Sequence, residues 1–426
     1  MQNYQSPYMQ FIFEGWKQEG GKLVFSYSFD GQLKFQEVLE WPEGTEFPDS
    51  RAFKNAAELY LLLAGVSYYK VFPTSELVYA EIDREQAGFI ESVYKNGLGE
   101  FIYVNQLSPD VIGHFVGVNE DAHEQAGDIE VSDSLVMIGG GKDSLVTVDL
   151  LKKAGKNFTT FRVNSKDWVD AQMQKIGLPS SKIIRIIDPK LTEMKDKGAL
   201  NGHVPVTAIV SSAALLEAIR LGRANVISSS EASANIPNTE YEGMQINHQY
   251  SKSLELEIAL NKYIKHYVSP SLTYFSLLRP WSELKIVEYF ANNLFDEYSG
   301  MWSSSNHNFM LKANSQKPEW DPNYSAKTLA IFGMFAAFIE PKRLIREMGG
   351  DYFESEEFAD TWAELVGNKG IKPFECVADI VEMRLAIKLA QENGWQNAQK
   401  IEVGQPECNY EAMNEHAIPE EYERII

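Results

Sequence analysis

The sequence predicts an α/β fold: a parallel sheet with helices on both faces, preceded by a smaller α+β domain with antiparallel strands and followed by a helical C-terminal region. Three observations carry this. Between residues 134 and 230, short apolar and β-branched runs alternate with helical stretches, the order that builds parallel βαβ units. Ahead of them, aromatic-rich runs are punctuated by Gly20-Gly21 and Asp30-Gly31, which read as hairpin turns. Behind them, residues 301–426 carry helical spacing broken by Pro- and Gly-containing turns.

In order, residues 11–14, 22–29 and 34–41 read as antiparallel strands and 52–63 and 83–94 as helices. The polar stretch 117–130 reads as a linker, which divides the chain into domains 1–120, 130–300 and 301–426. Strands are expected at 134–138, 158–163, 182–187 and 225–230, with helices opening at Ser144 and spanning 166–176 and 206–221. The run Lys182-Ile-Ile-Arg-Ile-Ile187 reads as a strand buried on both faces. Five helices follow, at 254–266, 281–293, 326–339, 356–366 and 376–393. Residues 302–325, polar and long, form a candidate lid or ordered insert.

A chain of 426 residues has room for two or three cored domains. Its 39 basic and 60 acidic residues leave a net charge of −21, which argues against bulk nucleic acid as a partner. The apolar runs at 59–69 and 329–339 are too short to span a bilayer, so no membrane partner is expected. Cys376 and Cys408 are the only cysteines, too few for a disulfide framework or a Cys-rich zinc site. No signal peptide is visible, and a cytoplasmic location is the expectation.

The stretch Val136-Met-Ile-Gly-Gly-Gly-Lys-Asp-Ser144 has the form strand, tight loop, helix. Unpaired N–H groups at a helix start and a flexible glycine backbone make a phosphate cradle. The Walker A pattern fails, because Lys142 is followed by Asp143 and Val136 stands where a glycine is needed. The dinucleotide fingerprint is weakened by Ser144 at its third glycine. Gly140-Gly-Lys-Asp-Ser144 instead resembles the pyrophosphate loop of ATP pyrophosphatases, with Gly139 in place of the leading Ser. In that reading Gly139, Gly140, Gly141 and Ser144 hold phosphates, Lys142 offsets charge or is merely solvated, and Asp143 holds Mg²⁺. The resemblance also places adenine at Val163-Asn164, making Asn164 a nucleotide residue.

Two further polar segments, Ser228-Ser-Ser-Glu-Ala-Ser-Ala-Asn235 and Ile246-Asn-His-Gln-Tyr-Ser-Lys-Ser253, follow the strand at 225–230, whose carboxyl end faces the ligand crevice of such folds. The plain alternative is a hydrogen-bonded surface loop. His248 suits proton transfer near neutral pH, Glu231 a base or metal ligand, and Lys252 an anion. Ser233, Asn235, Asn247 and Ser251 in those segments are expected to bind substrate. So is His203, whose alternative is a helix cap. Arg279 is the last of the set, as a bidentate anion clamp, with a salt bridge to Glu283 as its alternative.

These segments occur in one order with Leu62-Leu-Ala-Gly-Val-Ser-Tyr-Tyr-Lys70, Gly97-Leu-Gly-Glu100, Gly202-His-Val-Pro-Val206 and Arg279-Pro-Trp-Ser-Glu-Leu-Lys285. Together they resemble the UDP-N-acetylmuramoyl-L-alanyl-L-glutamate epimerase family of bacterial peptidoglycan synthesis, over about residues 50–385. The resemblance implies ATP and Mg²⁺ as cofactors, a UDP-linked muramoyl dipeptide as substrate, conversion of its terminal L-Glu to D-Glu through an acyl adenylate, and AMP and pyrophosphate as products. It departs at Trp320-Asp-Pro-Asn-Tyr-Ser-Ala326, where relatives are associated with a Cys-x-x-Cys-like cluster; a metal or thiol role is absent at that position. His248, Glu231 and Lys252 are the expected acid–base set. The alternative is another adenylating ligase or a tRNA-modifying enzyme of the same superfamily.

Overall fold

A computed structural model describes residues 4–119, 126–309, 315–404 and 415–426. Parts of the expected linker, of the 302–325 loop and of the acidic tail, together with Cys408, lie outside them. Strands β1 (Gln10–Glu19), β2 (Lys22–Phe29) and β3 (Leu33–Glu40) form an antiparallel meander. Its second turn places Asp30 and Gly31 at φ 49° and 70°, the left-handed pair that matches strand twist. Short strands β4 (Glu76–Val78) and β5 (His114–Val116) extend this edge in parallel. The helix Arg51–Ala64 starts where the Ser50 hydroxyl accepts the Phe53 N–H at 3.2 Å.

The alternating region gives β6 (Ser132–Met137), β7 (Phe158–Val163), β8 (Ser180–Ile187) and β9 (Arg223–Ser228). After a two-stranded hairpin, β10 (Thr239–Tyr241) with β11 (Met244–Ile246), strand β12 (Thr273–Ser276) joins the same sheet. The order is β12-β9-β6-β7-β8-β3-β2-β1-β4-β5. The pairs among the first five are all parallel.

The two expected sheets are therefore one: β3 pairs antiparallel with β8, Glu37 opposite Ile187 and Glu40 opposite Ile184. The seam is closed by charge. Arg185 forks onto the fully buried Glu37 carboxylate at 2.8 and 2.9 Å, and the Tyr60 hydroxyl donates to the same group. The seam pairs two strands far apart in the sequence, and it runs antiparallel where the rest of the β8 side of the sheet is parallel. Ile184 and Ile186 stay exposed, in contrast to the strand buried on both faces that the sequence predicts.

Two apolar cores flank the sheet. One joins the meander to the helices Arg51–Ala64 and Val206–Leu221. The other joins the first helix of the parallel region, Lys142–Lys153, to Trp302, the helix Ala326–Ala336 and the helix Ile380–Glu392. Helix ends follow their caps. Ser282 accepts the Lys285 N–H at 3.1 Å, so the helix expected at 281–293 is Glu283–Asn293. The helix expected from residue 376 starts at Ile380, because Asp379 accepts the Val381 N–H at 3.4 Å. Cys376 consequently lies on the preceding loop.

Candidate active site

At the end of β6, Ile138 donates to Phe161 at 2.8 Å and the chain enters the three glycines. Gly140 has φ +88°, and a Cβ there would stand 2.7 Å from Val169 Cγ2 and 2.8 Å from the Trp168 ring. A Cβ on Gly141 would stand 2.9 Å from Ser304 Oγ. The loop is thus bare backbone under two walls, which only glycine permits. Gly141 caps the helix Lys142–Lys153; Ser144 is its third residue rather than its opening one, and its hydroxyl donates to the Gly141 carbonyl at 3.0 Å. The described part of 302–325 packs beside this loop, with Ser304 against Gly141 and Ser315 O accepting the Trp168 N–H at 3.2 Å, and Gln172 Nε2 donates to Gly140 O at 2.9 Å and to Met301 O at 2.6 Å. Among the described residues, Ser304 Oγ and Trp168 Nε1, buried beside the loop, have no hydrogen-bond partner. Orphaned donors around an N–H-rich turn suit an anion.

Lys142 is fully buried, which rules out a solvated lysine; its ammonium sits 2.7 Å from Asp143 Oδ1 and 2.9 Å from Glu283 Oε1. Burial pulls its pKa down, but Asp143 and Glu283 outweigh this and keep it charged. Burial pushes the Asp143 carboxyl up and Lys142 outweighs that, holding it below the usual range as an anion suited to a hard cation. Glu283 is pushed up by burial despite Lys142.

Beside Gly139 a cavity of about 440 Å³ opens between the carboxyl ends of β6 and β7, lined by Ile138, Phe161, Val163, Asn164 and Val210. Its size and apolar walls suit a flat heterocycle. Asn164 reaches it with its backbone at φ 50°; its side chain is spent on Arg185, accepting from N and donating to O at 2.8 Å each.

Glu231 is buried past the end of β9, and the Ser233 hydroxyl lies 3.4 Å from its carboxylate. Arg279 does not enter the crevice and does not pair with Glu283. It is buried, forks onto Glu257 at 3.2 and 2.8 Å, and donates to the carbonyls of Glu231 at 2.8 Å and Lys252 at 2.6 Å. The anion clamp is replaced by a scaffold, because every direction of the fork already meets an acceptor. Asn247 latches Ala234 O to Gln249 N, and Asn235 accepts the Leu254 N–H, so both amides brace backbone. Ser251 is buried in the turn that carries Lys252. His203 caps nothing: Pro205 holds the N-cap of the helix Val206–Leu221.

His248 and Lys252 meet a residue that the sequence reading passed over. Lys252 Nζ lies 3.2 Å from Cys376 Sγ, and His248 is near enough to the sulfur for each to shift the other's pKa. The loop bearing Cys376 is fixed on both sides. Glu375 accepts the first two N–H groups of the helix Ala326–Ala336, from Ala326 at 2.8 Å and Lys327 at 3.2 Å. Asn238 accepts the His248 N–H at 3.0 Å and donates to Pro373 O at 2.9 Å. Burial raises the Cys376 pKa, but Lys252, Lys327 and His248 overcome it and bring the thiol to about 5. Burial lowers His248, and hydrogen bonds to Cys376 and Glu100 reverse this, holding it up at about 9. Its Nδ1 pairs with Glu100, and the His203 ring lies tilted against it at 42°, centroids 4.2 Å apart. Burial, followed by the charge on His248, depresses His203 to about 3 and keeps it neutral. Lys70, depressed by burial to about 8, donates to Gly202 O at 2.6 Å beside it.

A family model described as the MurL N-terminal domain matches residues 2–277, and one described as the MurL C-terminal domain matches residues 301–418. The chain belongs to the MurL family. It is 35% identical over 388 residues to a UDP-N-acetyl-alpha-D-muramoyl-L-alanyl-L-glutamate epimerase of Micromonospora, covering 89% of this chain and 86% of that protein. Proteins of the same name from Salinispora tropica and Xanthomonas oryzae pv. oryzae are each 35% identical, covering 89% and 88% of this chain and 84% of each relative.

The two MurL domains share the crevice. The N-terminal one carries the glycine loop, His248 and Lys252; the C-terminal one carries Lys327 and Cys376. Glu100 was legible only as a member of a quoted motif, and Glu283 only as a possible ion-pair partner of Arg279, which is not the partner it takes. No local signal distinguishes Cys376; it is one of two cysteines, and only the folded loop brings it to His248.

Proposed function

We propose that this chain is an ATP-dependent epimerase that inverts the terminal glutamate of UDP-N-acetylmuramoyl-L-Ala-L-Glu, through an acyl adenylate and with release of AMP and pyrophosphate, in peptidoglycan precursor synthesis. Membership of the MurL family supports the epimerase activity and its substrate class. The observation that carries the adenylation step is continuity of charge. Glu231 lies close enough to raise the pKa of both Lys142 beside the glycine loop and Lys252 beside Cys376. An activating site and a proton-transfer site thus lie along one wall.

The chemistry requires that order. Removing the α-proton of a carboxylate places a second negative charge beside the first. Esterifying the carboxylate to AMP removes the first charge, so the proton becomes far more acidic. The N–H groups of Gly139–Ser144, with Lys142, would receive the phosphates, and the cavity at Asn164 the adenine. Asp143 would hold Mg²⁺, which supplies charge neutralisation on the phosphates when bound. Of the expected acid–base set, Lys252 and His248 are held protonated, so they act as acids. Glu231 offers its carboxylate between the two halves. A small-molecule substrate and a cytoplasmic location fit this reading. Among the described residues no helix is long and apolar enough to cross a membrane.

The test is incubation with the L,L-dipeptide nucleotide, ATP and Mg²⁺ in D₂O. Deuterium at the glutamate α-carbon together with AMP is the expected result; absence of both ends the reading.

A further inference from the structure

With His248 and Lys252 both cationic, the group in direct contact with Lys252 is the sulfur of Cys376. We propose that Cys376, held beside Lys252 and His248, is the base that takes the α-proton from the activated glutamate. This rests on the reading above, since it needs the adenylated carboxyl.

The placement carries the argument. Cys376 is half-buried, its sulfur stands 3.2 Å from Lys252 Nζ, and its loop is fixed through Glu375 and Asn238. Charged neighbours reach it from three elements: Lys252 from the turn Tyr250–Lys252, His248 from the loop after β11, and Lys327 from the first turn of the helix Ala326–Ala336. All three are basic, and a sulfur enclosed this way is a thiolate at neutral pH. Glu375 and Asn238, the neighbours that lock the loop, spend their side chains on positioning it. A merely structural cysteine is usually a small apolar filler rather than the meeting point of three cations.

The step balances. The Cα–H bond breaks and an S–H bond forms, while the electron pair passes into the enolate of the acyl adenylate. Cα then takes a proton on its opposite face from water, and the thiol returns its proton to the hydroxide so formed, restoring the starting charges. No oxidant or reductant is needed.

The experiment separates the two halves of the reaction. In Cys376→Ser, α-deuterium incorporation from the L,L-substrate should fall by roughly 10²–10⁴-fold, the usual contribution of a positioned base. Isotope exchange between pyrophosphate and ATP in the presence of that substrate should persist. Exchange of the α-proton at the wild-type rate overturns the proposal; so does equal loss of both reactions in a variant that melts like wild type. Should the variant fail to fold, the wild-type protein is alkylated with iodoacetamide and Cys376 is followed by peptide mass. A rate nearly flat from pH 6 to 9, as roughly expected of a preformed thiolate, with loss of deuterium incorporation ahead of pyrophosphate exchange, is the expected outcome. A rate climbing about tenfold per pH unit across that range, as for an ordinary thiol, overturns it. If wild type shows no pyrophosphate exchange at all, the adenylation reading fails instead.

Discussion

Arg279 donates to the backbone carbonyl of Glu231 at 2.8 Å and leaves the Glu231 carboxylate alone. The guanidinium thus holds the crevice wall from behind. Arg279→Gln strips a fully buried partner from Glu257, and breaking such a pair costs about 3–5 kcal/mol. A melting temperature lower by several degrees is expected, with KM for the substrate little changed in the protein that remains folded. A clamp on substrate would do the reverse, raising KM at an unaltered melting temperature.

Gly140→Ala and Gly141→Ala put a Cβ into Trp168 and Val169, or into Ser304. Each should lower kcat/KM for ATP in pyrophosphate release by at least tenfold, roughly 1.4 kcal/mol. Gly139→Ala meets nothing within 4 Å and has no positive φ, so its effect should be the smallest of the three.

Asp143→Asn keeps the shape of the side chain and removes the anion that faces both Lys142 and the loop. The concentration of Mg²⁺ needed for half-maximal pyrophosphate release should rise, while fluorescence-detected nucleotide binding without metal stays close to wild type. An unchanged Mg²⁺ requirement would move the metal elsewhere.

The pH profile of α-proton exchange follows from two shifts in opposite directions. Cys376 is depressed to about 5, so its thiolate is lost as pH falls through that value. His248 is raised to about 9, so its proton is lost as pH rises through that value. A plateau between these limits is expected. Glu100→Gln removes one of the groups that hold His248 up, so the basic limb should move to lower pH while the acid limb stays.

The strands β6, β7 and β9 and the glycine turn were legible because their signals are local. Apolar runs, a three-glycine loop and Gly222, the αL cap, all act within a few residues. The seam between β3 and β8 was not legible, because it joins Glu37 to Arg185 across a long stretch of sequence and local patterning is silent on such pairs. Asn164, Asn235 and Asn247 carry side chains that suit ligand and backbone equally well. Only the coordinates show their amides spent on Arg185, Leu254 and Ala234.

What the residues determined alone is the α/β order, the glycine turn with Asp143 where a kinase-type loop has Ser or Thr, and the likeness to an epimerase family. Tertiary structure decided the charges. It buried Lys142 between two carboxylates, turned Arg279 away from the crevice, and brought Cys376 from a distant loop to Lys252 and His248. A side chain's protonation state depends on what surrounds it in space, and that neighbourhood exists only once the chain has folded.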